Sequence, residues 1–352
     1  MACATTQRIL LLAISALSVA LGVYVSYQAI HAPPKYDFDR LGALSVSQMR
    51  GLLRLPNLTN SEPGSLVYKT EHLLYLLVLI FAELCSTLIG SASFLFISSC
   101  MGPVLTFMYV EATKPGHSFL IGGLVVVFVT ALGQLICVGA SVPIVYIPLY
   151  ALTRALNLNE VHPRPAGGPR TKNVVKLVGT IVGASTVASV VVPLKSVAWP
   201  WANIAFQVFP IAVLILPLYS LTASRETQTI RQSRIYHKEK FQSALIYWIS
   251  LIVAAKPVYQ LLNGESILIN DSVKLIWWDQ LGVSAVHILF VLVNAVADGC
   301  NSVHKKSCGA CVSGVFGAIV SALVFGPGYT FYNYIAAREE AVESIVGKAK
   351  SQ

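Results

Sequence analysis

Charge is what this sequence most conspicuously lacks. Asp, Glu, Lys and Arg make up 12% of its 352 residues, about half the roughly one-quarter share of soluble proteins. Hydrophobic residues make up 55% and the mean hydropathy is +0.67, a surface that water cannot hold, so a soluble globular fold is excluded. The net charge of +9 comes from Lys and Arg in a few loops between apolar runs. With no continuous basic face, nucleic acid is not a partner. The seven cysteines (Cys3, Cys85, Cys100, Cys137, Cys300, Cys308 and Cys311) are odd in number and scattered, which excludes a disulfide framework. Cys308 and Cys311 with His304 make half a zinc-like set, but no second ligand pair accompanies them, and no metal is expected. A nucleotide-binding loop, HExxH, GxSxG and a metal-binding DDxxD are all missing, which removes ATP-driven transport, zinc proteolysis, serine hydrolysis and magnesium-dependent diphosphate ionisation. No cofactor is implied. There is no internal repeat of the kind found in inverted-symmetry transporters, and no low-complexity region.

Apolar runs are what the sequence does have. A hydrocarbon core about 30 Å thick takes about 20 apolar residues per helix, so the chain reads as an all-α, polytopic transmembrane helical bundle of about nine spans, with eight as the alternative. The spans are expected near Ile9–Ile30, His72–Ile89, Ala92–Glu111, Phe119–Ala140, Val174–Val192, Trp201–Leu221, Ala244–Leu262, Ile276–Ala297 and Val312–Tyr334. The first lacks a small-residue cleavage site and exceeds the roughly 7–15 residues of a signal-peptide core, so it reads as retained. The fourth seeks to continue past Pro143 and Pro148 toward Leu152 as a kinked helix. Residues 1–352 form a single transmembrane domain, with a lumenal loop at about 31–70 and a short polar C-terminal tail at about 337–352.

Short-loop charge orients this bundle. Arg154, Arg164, Arg170 and Lys172 follow span four, and Arg225, Arg231, Arg234, Lys238 and Lys240 follow span six, so both loops are expected in the cytoplasm. The alternate loops carry Lys114, Lys195 and Lys274, one each. The N-terminus is then cytoplasmic and the C-terminus lies across the membrane, which is expected to be that of the endoplasmic reticulum. Two glycosylation sequons, at Asn57 and Asn270, both fall on the lumenal side.

Within the spans the chemistry is carried by a few acids, each costing about 2.5 kcal/mol or more at the bilayer centre. Glu83 lies deep in span two, Glu111 at the lumenal end of span three, Asp279 near the lumenal start of span eight, and Asp298 at its cytoplasmic end. On this topology Glu111 and Asp279 share a depth, and Lys256 is a possible ion-pair partner for either. As ordinary structure, Glu111 is an interfacial helix end, Asp279 an N-terminal cap, Asp298 the border of a polar loop, and Lys256 a snorkelling side chain. Aromatics are assigned to the same lumenal level: Tyr109, Trp199, Trp201, Tyr259, Trp277, Trp278, Tyr329, Phe331, Tyr332 and Tyr334. They make either an interfacial belt or a cavity whose π faces stabilise a carbocation. Gly326-Pro327-Gly328 breaks span nine, as occurs where a helix lines a cavity or packs in protein.

Several local motifs in this order resemble the fungal integral membrane terpene cyclases of the AscI type, a family that includes paxilline-cluster members of indole-diterpene pathways. They are Met101-Gly102-Pro103 with Glu111 closing the same span, the Trp201–Tyr219 span with Gln207 and Pro210, Trp278-Asp279, and Phe325-Gly326-Pro327-Gly328 leading to Arg338-Glu339-Glu340. The region before span two has no such anchor, and residues 191–199 diverge. The resemblance implies a metal-free cyclisation in secondary metabolism. An acid protonates a terminal epoxide or alkene of the prenyl chain of a meroterpenoid or indole diterpene, and a polyene cascade closes the rings. A carboxylic acid in apolar surroundings keeps its proton at neutral pH, as such a donor requires. Asp279 or Glu111 is expected as donor, the other as its partner, with Glu83 third. The implied partners are a lipophilic prenylated small molecule, membrane lipid and other enzymes of the pathway. The rival readings are a small-molecule transporter, with the same acids lining a path, and a non-catalytic scaffold.

Overall fold

The computed structural model describes residues 2–31, 40–56, 59, 62–113, 119–158, 169–210, 233–298 and 311–349. The described residues are helical with no strand. The helices are α1 (Ala2–His31), α2 (Val46–Leu53), α3 (Leu66–Cys85), α4 (Leu88–Thr113), α5 (Gly123–Ile136), α6 (Val138–Leu156, with a π turn at Val142–Tyr146), α7 (Pro169–Val191), α8 (Ala198–Gln207), α9 (Ser233–Leu262), α10 (Asp271–Asp298), α11 (Cys311–Phe325) and α12 (Pro327–Ala349). Local sequence explains several boundaries. Ser45 and Gln48 form a reciprocal capping box on α2, and Ser65 caps α3. The π turn in α6 follows Pro143, which withholds an N–H from the helical ladder.

Five described helices are long and apolar enough to cross a membrane: α1, α4, α6, α9 and α10. Helix directions follow from contacts with α10. Along α4, Trp277 Nε1 donates to Ser93 Oγ at 2.9 Å, His287 Nε2 lies 2.9 Å from Cys100 O, and the Phe290 ring packs at a tilt with its centroid 4.6 Å from that of Phe107. The two helices therefore run parallel. Helix α6 does the same, joining Gly139 to Asp279, Tyr150 to Asn294, and Arg154 to Asp298. Helix α1 runs the other way, with Gln7 bonded to Val296 O and Tyr24 edge-on to Trp278.

These directions correct the sequence reading at three places. Span four is not one kinked helix, because the chain reverses at Cys137, which has φ +77°. Helix α5 then packs back along α6, and the short turn Phe119–Ile121 lies beside the far end of α6. The second correction is at α3, which carries the expected span His72–Ile89. Both ends of its packing lie at the Asp271 end of the bundle. Tyr75, Val78 and Leu79 cluster there with Trp199, and Glu83 meets Ser272 and Asn270. It therefore roofs the bundle. Lys69, Glu71 and Glu83 in one helix suit such an end position better than a hydrocarbon crossing. The two misreadings cancel, so α7, α9, α10 and α11 run in the expected directions.

The third correction is at the C-terminus. Gly326 has φ +93°, a conformation glycine adopts without strain, and Pro327 brings no N–H. Across this break Thr330 Oγ1 donates to Ser321 Oγ at 3.0 Å, whereas nine residues of straight helix rise about 13.5 Å. Helix α11 thus folds back beside α12, which runs from Thr106 (bonded to Tyr332) toward Asp298 (bonded to Arg338). The start of α1 and the later part of α12 both lie at the Asp298 end. Reporter tags on the two termini are expected to share protease sensitivity in sealed microsomes. A C-terminal tag protected while the N-terminal tag is cleaved would contradict this arrangement.

Candidate functional site

At the Asp271 end the helices enclose a cavity of about 450 Å³, within the roughly 300–1,000 Å³ usual for small-molecule sites. Seven helices contribute: Ala29–His31 from α1, Leu77, Ile80 and Phe81 from the α3 roof, Phe94 to Met101 from α4, Gly133–Leu135 from α5, Cys137 and Val138 at the head of α6, Phe206 from α8, and Leu275, Ile276 and Asp279 from α10. Among the described residues, Asp279 is the only acid in this lining, and it is 7% exposed. The other polar side chains are His31, Ser98, Gln134 and Cys137. Ile30 and Leu135 line the cavity and are also more than half exposed on the outside of the bundle, at 52% and 57%.

Asp279 is held from α6. Its Oδ1 accepts the Gly139 N–H at 2.5 Å, in the first turn of a helix whose leading N–H groups have no intrahelical acceptor. The bond requires glycine on both helices. A Cβ on Gly139 would lie 2.3 Å from Asp279 O and 2.8 Å from Gly282 Cα, and one on Gly282 would lie 2.4 Å from Gly139 O. Gly282→Ala is therefore expected to force α6 and α10 apart and destabilise the protein by about 1–3 kcal/mol. Its thermal unfolding in detergent checks this; an unchanged midpoint would mean that the helices do not touch here.

Three phenylalanines share the cavity with this acid. Phe81, Phe94 and Phe206 have ring centroids 5.0–5.4 Å apart, and all three line the cavity. None of the aromatics expected from the sequence does. Trp199 is buried but gives its indole N–H to Ser189 O. Trp201, Tyr259 and Trp277 are 42%, 66% and 38% exposed. Trp278 packs on Tyr24, and Tyr329 lies against Phe325 and beneath Lys240. Tyr109 and Tyr332 are buried at a different pocket, and Phe331 stacks on His287. The expected belt at one level is dispersed because α4 and α12 run opposite to their expected directions.

The same reversal separates the acids. Glu111 is buried, within electrostatic range of Tyr146, Tyr150 and Tyr236. Since Trp277 meets Ser93, and the rise from Ser93 to Glu111 is about 27 Å at 1.5 Å per residue, Glu111 and Asp279 occupy opposite ends and are not partners. Glu83 is half-buried outside the cavity. Its Oε2 accepts the Ser272 hydroxyl at 2.8 Å, pinning the roof to the start of α10. Lys256 is exposed on α9 and is not part of the cavity lining. Asp298 is paired with both Arg154 and Arg338, and Arg338 also reaches Glu339 at 3.0 Å. Asn270 caps α10: its Oδ1 accepts Val273 N–H and its amide donates to Glu83 O. Asn57, His304 and Cys308 lie outside the described residues.

Sequence reasoning misses Phe81, Phe94, Ser98, Gln134 and Phe206, which are spread over four helices that only the tertiary fold brings together. Gly139 and Gly282 stand in small-residue stretches, Gly139-Ala140-Ser141 and Gly282 to Ala285, of otherwise apolar helices. Compared with known proteins, the chain matches no family model, no curated protein and no solved structure.

Proposed function

We propose that the chain is an integral membrane terpene cyclase, with Asp279 donating the proton that starts cyclisation of an epoxidised or alkene-terminated prenyl chain on a meroterpenoid or indole diterpene. The observation that carries this reading is a single buried acid, held by one backbone N–H, in an otherwise largely apolar cavity of about 450 Å³.

Asp279 Oδ1 is occupied by the Gly139 N–H, so the acid proton belongs on Oδ2. It passes to the epoxide oxygen, the C–O bond breaks toward that oxygen, and the π electrons of the next alkene close the first ring. Each further alkene repeats this step and moves the positive charge along the chain. Phe81, Phe94 and Phe206 offer the moving cation their π faces, at about 0.5–2 kcal/mol per well-placed ring. Loss of one proton then gives an isomer of the substrate. A lipophilic substrate reaches such a site from the bilayer.

The distribution of basic residues supports a cytoplasmic Asp298 end. Arg8, Arg154, Arg234, Lys238, Lys240 and Arg338 lie toward it, against Arg54, Lys69, Lys195 and Lys274 toward the other. The N-terminus is then cytoplasmic and the cavity nearer the lumen of the endoplasmic reticulum.

The test is expression in a yeast host supplied with epoxidised prenylated aromatic or indole substrates, with mass spectrometry for a product of unchanged mass and new retention. No isomer from farnesyl or geranylgeranyl substrates, with the protein verified in the membrane, would move the reading to a transporter or a pathway scaffold.

A further inference from the structure

A second, smaller pocket of about 40 Å³ lies between α4, α7, α9 and α12. Like the cavity it is walled mainly by apolar surface, but Ser99, Thr106, Tyr109, Gln242, Ser243 and Tyr332 are in its lining, with Glu239 as the only acid among the described lining residues. One residue, Ser98, lines both. The Ser98 hydroxyl donates to Phe94 O at 2.8 Å and accepts from Thr186 at 3.4 Å. Within this pocket's lining, the Tyr109 hydroxyl is fully buried and has no hydrogen-bond partner, although Tyr109 is only 1% exposed. A buried hydroxyl is rarely left unsatisfied, and a space of this size with hydroxyl-bearing side chains in its wall has room for two or three waters at about 10–15 Å³ each.

We propose that this pocket is a water-binding chamber and that it accepts the proton released when the cyclised cation collapses. This second role rests on the cyclase reading. The C–H bond beside the cationic carbon breaks, and its electron pair becomes the new C=C. The proton moves to Ser98 Oγ as the Ser98 hydroxyl swings from Phe94 O and gives its own proton to a chamber water, from which Glu239 takes it. Exchange with solvent restores Glu239 and Asp279 before the next turnover.

The water site is tested without any substrate, by X-ray hydroxyl-radical footprinting of the full chain in nanodiscs. Bound water makes buried Tyr109 and Tyr332 react. Silence at both, with exposed Tyr259 labelled, overturns the proposal. Tyr109→Phe supplies a second readout. Loss of a water-bonded hydroxyl lowers the thermal midpoint by about 2 °C, whereas an unchanged or raised midpoint means that the hydroxyl is dry and overturns it. The acceptor role is tested with Glu239→Gln, expected to lose turnover with KM unchanged; unaltered turnover overturns that role. Labelled tyrosines in a chain that forms no isomer would leave the chamber standing and remove the cyclase reading alone.

Discussion

Asp279→Asn is expected to lower isomer formation by at least about 100-fold, the lower range for removing a general acid, while membrane insertion and thermal stability stay close to those of the parent protein. The substitution is close to isosteric. The Asn side-chain oxygen can still accept the Gly139 N–H that now bonds Asp279 Oδ1 at 2.5 Å, so α6 and α10 stay joined, but the amide cannot deliver an acid proton. Glu111→Gln is the matched control. Glu111 lies at the opposite end of α4 from the cavity, so its neutralisation should leave the product pattern intact even if it costs stability. Activity retained in Asp279→Asn and lost in Glu111→Gln would relocate the chemistry to the Asp298 end.

The largest loss of stability is expected from Arg338→Leu. Arg338 is 6% exposed, and its Nε lies 2.7 Å from Asp298 Oδ2 while Nη1 lies 3.0 Å from Glu339 Oε1. Both acids are themselves buried, at 8% and 2% exposure. Removing one member of a buried ion cluster leaves its partners' charge uncompensated, at about 3–5 kcal/mol. Arg154 still reaches Asp298, which sets the loss toward the lower figure. Arg338→Lys is expected to recover only part of it, because an ammonium cannot reproduce the fork that serves two carboxylates at once. Heat-induced loss of the monodisperse detergent-solubilised protein measures both variants. An unshifted midpoint in Arg338→Leu would mean that the cluster does not hold α10 to α12.

The membrane-bundle class is legible in the apolar runs because burial in hydrocarbon is a bulk property of composition. Direction is not, because it turns on single residues. Nothing in the residues around Cys137 announces a reversal, since a positive φ is uncommon for any residue but glycine, and Pro143 six positions later draws attention to the wrong place. Gly326-Pro327 is visible as a break, yet a break and a turn-back look alike until Thr330 is seen beside Ser321. Asp279 stands out as an acid next to two tryptophans in an apolar run. Its separation from Glu111 depends on whether α4 and α10 run parallel, which pairwise packing decides. Glu83 sits between Ala82 and Leu84 in an apolar run, and its partners Ser272 and Asn270 come from the other half of the chain.

Ile30 and Leu135 face outward as well as into the Asp279 cavity, so the site has a side wall that the surrounding amphiphile also wets. Solubilisation then bears on more than the fold. An alkyl-chain surfactant present at millimolar monomer concentration has the shape to slip past these two residues and occupy the chamber. Assays in micelles would report apparent inhibition that rises with surfactant concentration, and transfer to a lipid disc would relieve it without refolding.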